Sequence, residues 1–138
     1  HAQLAADIAA IKARFGHCIL LDAHSIFSEV PRFFPGKLPD LNLGTAEGRS
    51  CAPEIEARAA AVLAGSRGFT HVVNGRFKGG YVTRHYGRPA DGVHALQLEM
   101  AMSAYLDETR PEPFDGTRAA ALVAVLERLV DMLLIPLP

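Results

Sequence analysis

Residues 18–25 read Cys18-Ile19-Leu20-Leu21-Asp22-Ala23-His24-Ser25, four apolar residues after a glycine-marked break and then a polar tetrad. An apolar run this short, bounded by Gly16 and by polar residues, reads as a buried strand of an α/β sheet. Upstream, Leu4, Ile8 and Ile11 recur at helical spacing over residues 4–14, and Gly16 supplies the stop. Downstream, residues 26–50 contain three prolines and three glycines and read as a long irregular loop with a short strand at 40–43. Loops of that length inside compact domains are usually functional. Pro53 opens a helix over 54–64 that Gly65 closes. Residues 70–74 (THVVN) and 93–100 (VHALQLEM) read as strands, with a further short strand at 81–83 inside a glycine-rich basic segment. Leu122, Val125, Leu126, Leu129 and Met132 form one face of a last helix over 117–134. The order helix, strand, helix, strand, strand, helix predicts an α/β layered fold.

The chain has 138 residues, which suits one domain, and 49% hydrophobic with 21% charged residues is the composition of a folded protein. A formal net charge of -1 argues against nucleic acid or an anionic membrane as the main partner, since both demand a basic excess. No apolar run approaches the ~20 residues that span a bilayer. Cys18 and Cys51 lack metal-site spacing, which points to a reducing compartment, the cytoplasm, and to no disulfide framework. His1 leads straight into helix-like sequence without an initiator Met, so the expectation is a segment of a longer protein.

Ligand sites in open α/β sheets form outside the carboxyl ends of strands, and three predicted strands here end in polar chemistry. Asp22 and His24 lie two apart on an extended segment and share a face. His24 is a candidate zinc ligand with Asp22 orienting its ring; the alternative is a satisfied core histidine with a capping aspartate. Asn74-Gly75-Arg76 opens a stretch to Arg88 in which Arg76, Lys78, Arg84 and Arg88 stand among Gly75, Gly79, Gly80 and Gly87. Glycines admit close approach of the backbone, and arginines grip carboxylates through paired hydrogen bonds, which suits a small acidic substrate. A solvated basic hairpin is the bland alternative. No GxxxxGK[ST] or GxGxxG motif supports a nucleotide cradle. Glu99 sits in an apolar frame, Ala95-Leu96-Gln97-Leu98-Glu99-Met100. A partly desolvated Glu has the raised pKa of a general base, whereas an ion pair with Arg84 would give it a structural role. Cys51, beside a predicted helix start, offers a weaker Cys–His route, and no GxSxG motif marks a serine nucleophile.

The stretches DAHSI (22–26), PRFFPGKLPDLNLGT (31–45), SCAPE (50–54), HVVNGRFKGGYVTRHYGRP (71–89) and GVHALQLEM (92–100) together closely resemble the N-formylglutamate amidohydrolase family over essentially the whole chain. The resemblance implies a three-layer α/β/α fold with a mixed sheet, similar to the zinc carboxypeptidases. It implies hydrolysis of N-formyl-L-glutamate to formate and L-glutamate, a step of histidine degradation, with one zinc ion as cofactor. It implies His24 as a metal ligand, Glu99 as the general base, and Asn74, Arg76 and Arg84 as holders of substrate carboxylates. The family pattern also needs an earlier His and an earlier acidic ligand. Residues 1–138 are therefore expected to be the C-terminal half of such an enzyme, inactive alone, with an exposed sheet edge that favours self-association. Phe27 departs from the basic residue often found after the HSI triplet in the family. The competing expectation is a degenerate member that binds a small dicarboxylate without turnover.

Overall fold

The computed structural model describes residues 1–112 and 114–136. Its elements are α1 (Ala2–Phe15), β1 (Cys18–Ile26), β2 (Leu41–Gly44), α2 (Pro53–Ala64), β3 (His71–Val73), α3 (Tyr81–Tyr86), β4 (Val93–Ala101) and α4 (Gly116–Leu133). Gly16 ends α1 in the left-handed conformation at φ 82, donating its N–H to the Lys12 carbonyl. That conformation strains any residue with a Cβ, which is why glycine stops the helix there. Asp115 caps α4, its side chain accepting from the N–H groups of Thr117 and Arg118.

The four strands form one mixed sheet in the order β1-β4-β2-β3. β1 and β4 pair in parallel over nine residues, from Cys18 against Val93 to Ile26 against Ala101. β2 runs antiparallel to β4 and parallel to β3. The expected strands are all present except the one at 81–83. That segment is the start of α3, although Tyr, Val and Thr favour strands. The helix places Val82 and Tyr86 one turn apart, and both pack with Cys18, Val93, Leu20 and Ile8. Burial of that i, i+4 pair outweighs the local preference.

Alternation along the strands separates two faces. Leu41, Leu43, Leu96 and Leu98 point to one side and meet Ile55, Ala59 and Leu63 of α2 and Leu122, Val125, Leu129 and Leu133 of α4. Each such buried side chain contributes about 1.5–3 kcal/mol by leaving water. On the other side α1 and α3 cover only the beginnings of β1 and β4. Helices on both faces of a mixed sheet make the α/β architecture that the element order predicted. The ends of β1 and β4 on that second face carry Asp22, His24, Gln97 and Glu99.

His94 belongs to the apolar face, 3% exposed, and its Nδ1 accepts the Ala52 N–H at the start of α2 at 3.2 Å. Burial, and secondarily the nearby His17, holds the His94 pKa below the usual histidine value. The folded chain therefore binds fewer protons at this residue than the unfolded chain. His94 contributes stability that is fully present above the unfolded value of about 6.5 and is lost as pH falls through the lower folded value. Urea unfolding of His94→Gln is expected to show a shallower fall in stability between about pH 7 and pH 5 than the parent; an equal fall in both would remove His94 as the cause.

Candidate functional site

Parallel pairing sets His24 against Glu99 and Asp22 against Gln97. Directly paired residues share a face, so all four side chains rise from one side of the sheet. Asp22 Oδ1 lies 2.8 Å from His24 Nε2. A carboxylate on one ring nitrogen fixes the ring's orientation and leaves the other, Nδ1, to face a ligand or metal. The side chain of His24 is 50% exposed, whereas Glu99 is only 7% exposed. The accessible nitrogen and the desolvated carboxylate are thus neighbours. Burial raises the Glu99 pKa and the Asp22 charge adds to it, while His24 and a hydrogen bond from Gln97 pull the other way. Glu99 has no Arg84 partner among the described residues, since Arg84 donates to the Gly79 carbonyl.

Asn42 on β2 faces Glu99 across the antiparallel ladder. It is fully buried and donates through Nδ2 to the backbone carbonyls of Pro39 at 2.7 Å and Glu99 at 3.1 Å. Its Oδ1 is buried without a hydrogen-bond partner. Sequence reading passed over Asn42, although a polar residue amid Leu41 and Leu43 in a strand was the available signal.

The polar carboxyl ends of β1 and β4 lie side by side, but that of β3 does not join them. β2 and β3 run opposite to β4, so the carboxyl end of β3 lies at the other end of the sheet from His24 and Glu99. Asn74, just beyond β3, has φ 50 and an occupied side chain. Its Oδ1 accepts from the N–H groups of Thr45 at 2.9 Å and Glu47 at 3.2 Å. Its Nδ2 donates to Thr45 Oγ1 at 2.8 Å and Glu56 Oε2 at 3.2 Å. The basic loop then doubles back across the polar face. A Cβ on Gly44 would collide with the backbone of Lys78 and Gly79, one on Gly79 would meet the Thr83 side chain, and Gly80 donates to Gln97 Oε1 at 2.6 Å. Arg76 is exposed and stands 5.9 Å from the Phe34 ring. Phe34 packs with Ile26, Ala101 and Phe77, which puts Arg76 at the same end of the sheet as His24 and Glu99. Arg84 is exposed on α3, and Lys78 pairs with Glu47 at 2.6 Å.

Cys51 is 1% exposed, and burial pushes its thiol pKa up to about 12. A thiol this hard to ionise is a packing residue, not a nucleophile. Among the described residues no three His, Cys, Asp or Glu side chains group to hold a metal ion. Nor is any described helix long and apolar enough to cross a membrane.

Residues 1–106 match the family model described as N-formylglutamate amidohydrolase. The N-formylglutamate deformylase of Pseudomonas aeruginosa is 51% identical over 134 residues, 97% of this chain and 50% of that protein. The deformylase of the same name from Pseudomonas putida is 47% identical over 134 residues, again 97% and 50% of the two chains. Among solved structures, the N-formylglutamate amidohydrolase of Ralstonia eutropha JMP134 superposes with a TM-score of 0.81 at 26% identity, over 96% of this chain and 49% of that one. The chain spans about half the length of the curated relatives it matches.

The Asn74 contacts separate a structural tie from a substrate contact. Asn74→Ala is expected to cost about 2–3 kcal/mol in urea unfolding, because it strands the Thr45 and Glu47 N–H groups and strains a positive φ. A loss below about 0.5 kcal/mol would show that those bonds hold nothing in place.

Proposed function

The chain belongs to the N-formylglutamate amidohydrolase family, and from that premise we propose that it is the C-terminal half of a zinc enzyme that hydrolyses N-formyl-L-glutamate to formate and L-glutamate. The observation that carries this reading is the pairing of His24, held by Asp22, with the buried Glu99 on one face of the sheet. An imidazole oriented by a carboxylate is the usual state of a histidine that ligates zinc. His24 and Asp22 fit that role. The described residues do not group into a full ligand set, so the reading assigns the remaining ligands to the other half of the relatives' length. Their arrangement would then be that of the zinc carboxypeptidases.

Zinc, when bound, supplies a Lewis acid that polarises an amide carbonyl and acidifies water. The chain's own residues do the rest. Glu99 has a carboxylate whose raised pKa suits it to accept a proton from the attacking water and to pass it to the departing amine nitrogen. Its burial keeps bulk water from competing for that proton. N-formylglutamate carries two carboxylates, which gives Arg76 and Arg84 a common purpose as bidentate partners. Asn74 joins this group only indirectly, by fixing the turn from which the basic loop departs. The reaction stands in histidine degradation, and the two free, buried cysteines suit the cytoplasm.

In the intact protein, His24→Ala is expected to lose zinc. Glu99→Gln is expected to retain zinc and lose turnover by about 10²–10⁴-fold, since only the first residue holds the metal. Zinc loss of equal extent in both would contradict the two roles. A parent with bound N-formylglutamate and no formate release would instead establish the non-catalytic binder. Arg76→Ala and Arg84→Ala are each expected to lower kcat/KM about 10–100-fold for N-formylglutamate but much less for a formylated neutral amino acid. A uniform decrease would make the arginine structural.

A further inference from the structure

Resting on that reading, we propose that Gln97 is a positioning residue: its amide, locked by the backbone of Gly80, holds the Glu99 carboxylate in place for proton transfer. Gln97 precedes Glu99 by two residues on β4 and so shares its face. It is 6% exposed. Its Oε1 accepts the Gly80 N–H at 2.6 Å, and its Nε2 donates to Glu99 Oε2 at 3.4 Å. A side-chain amide has distinct ends, and its neighbours decide which way it points. Here an N–H fixes the oxygen end, so the NH2 end must face the carboxylate. Rotating the amide by half a turn would set donor against donor at Gly80 and acceptor against acceptor at Glu99.

The anchor is itself rigid. Gly80 follows Gly79, which lies in van der Waals contact with Gly44 on β2, and the Lys78 carbonyl accepts the Ala46 N–H at 2.6 Å. A Cβ on Gly80 would stand 3.0 Å from Gln97 Oε1, so only glycine admits the approach without displacing the amide. The glycine pair in the basic loop thus has a purpose beyond flexibility. It lets the backbone come down onto the polar face and clamp the residue beside Glu99. Gln97 does not need to touch substrate to act in this way. It limits the rotamers that a buried carboxylate can visit, and a base misplaced by an ångström loses much of its effect.

The test uses the intact protein with N-formylglutamate and two near-isosteric variants. Gln97→Glu keeps an acceptor for Gly80 but replaces the donor facing Glu99, and Gln97→Met removes both bonds while preserving bulk. Each is expected to lower kcat about 10–100-fold, as loss of a hydrogen bond to a charged group does, with KM within about threefold and zinc content equal to the parent's. Parent-like kcat in Gln97→Glu would overturn the proposal, as would a loss confined to KM or a loss of zinc. If neither variant folds by near-ultraviolet circular dichroism, Gln97 is a structural residue and the proposal falls. A parent that itself releases no formate would strike the underlying hydrolase reading instead, which the parent assay alone reveals.

Discussion

Nine consecutive residues of β1 pair in parallel with nine of β4, and that register brings Asp22 and His24 beside Gln97 and Glu99. A slip of one residue would turn every side chain of β1 to the opposite face. His24 would then point into the leucine layer formed by Leu96, Leu98 and α4, and Leu21 would point toward water. The register is therefore fixed by the hydrophobic face, while its chemical consequence appears on the other. Leu41, Leu43, Leu96 and Leu98 are fully buried against α2 and α4, and their packing holds the polar residues in line.

The second face is built on the opposite logic. Among the described residues its covering is partial: α1 and α3 protect the start of the strands, and the basic loop crosses the middle. Toward the strand ends a buried carboxylate and an exposed imidazole stand together. Keeping a carboxylate out of water raises its pKa and costs stability unless partners compensate. Gln97 and His24 supply part of that compensation for Glu99. A residue that the fold holds at a cost, next to an accessible ligand-type nitrogen, is the kind of feature that points to chemistry.

Much of this arrangement was legible in the sequence. The 3.6-residue repeat of Leu122, Val125 and Leu129 announced α4, and the short apolar run at 18–21 announced β1. The alternation over residues 93–100 announced β4 and singled out Glu99 in an apolar frame. What escaped was direction. The loops between strands carry no mark of whether the chain returns parallel or antiparallel, so the carboxyl ends of β3 and β4 were expected on one side of the sheet and lie on opposite sides. The short helix at Tyr81–Tyr86 escaped because only tertiary packing overrides three strand-favouring residues. Asn74 was expected as a substrate contact on the family resemblance alone, and its structural ties were not foreseen. Its ties to Thr45, Glu47 and Glu56 depend on neighbours 18 to 29 positions away that no local pattern discloses.

In the proposed enzyme His24 and Glu99 serve one zinc ion from one face of this sheet. Anomalous diffraction at the zinc edge, from crystals of the intact protein grown with zinc, tests it most directly. A single strong peak is expected about 2.0–2.1 Å from His24 Nδ1, with Nε2 still on Asp22 and the Glu99 carboxylate within reach of a water on the metal. A peak remote from His24, or His24 bound with Glu99 turned away behind the sheet, would contradict it.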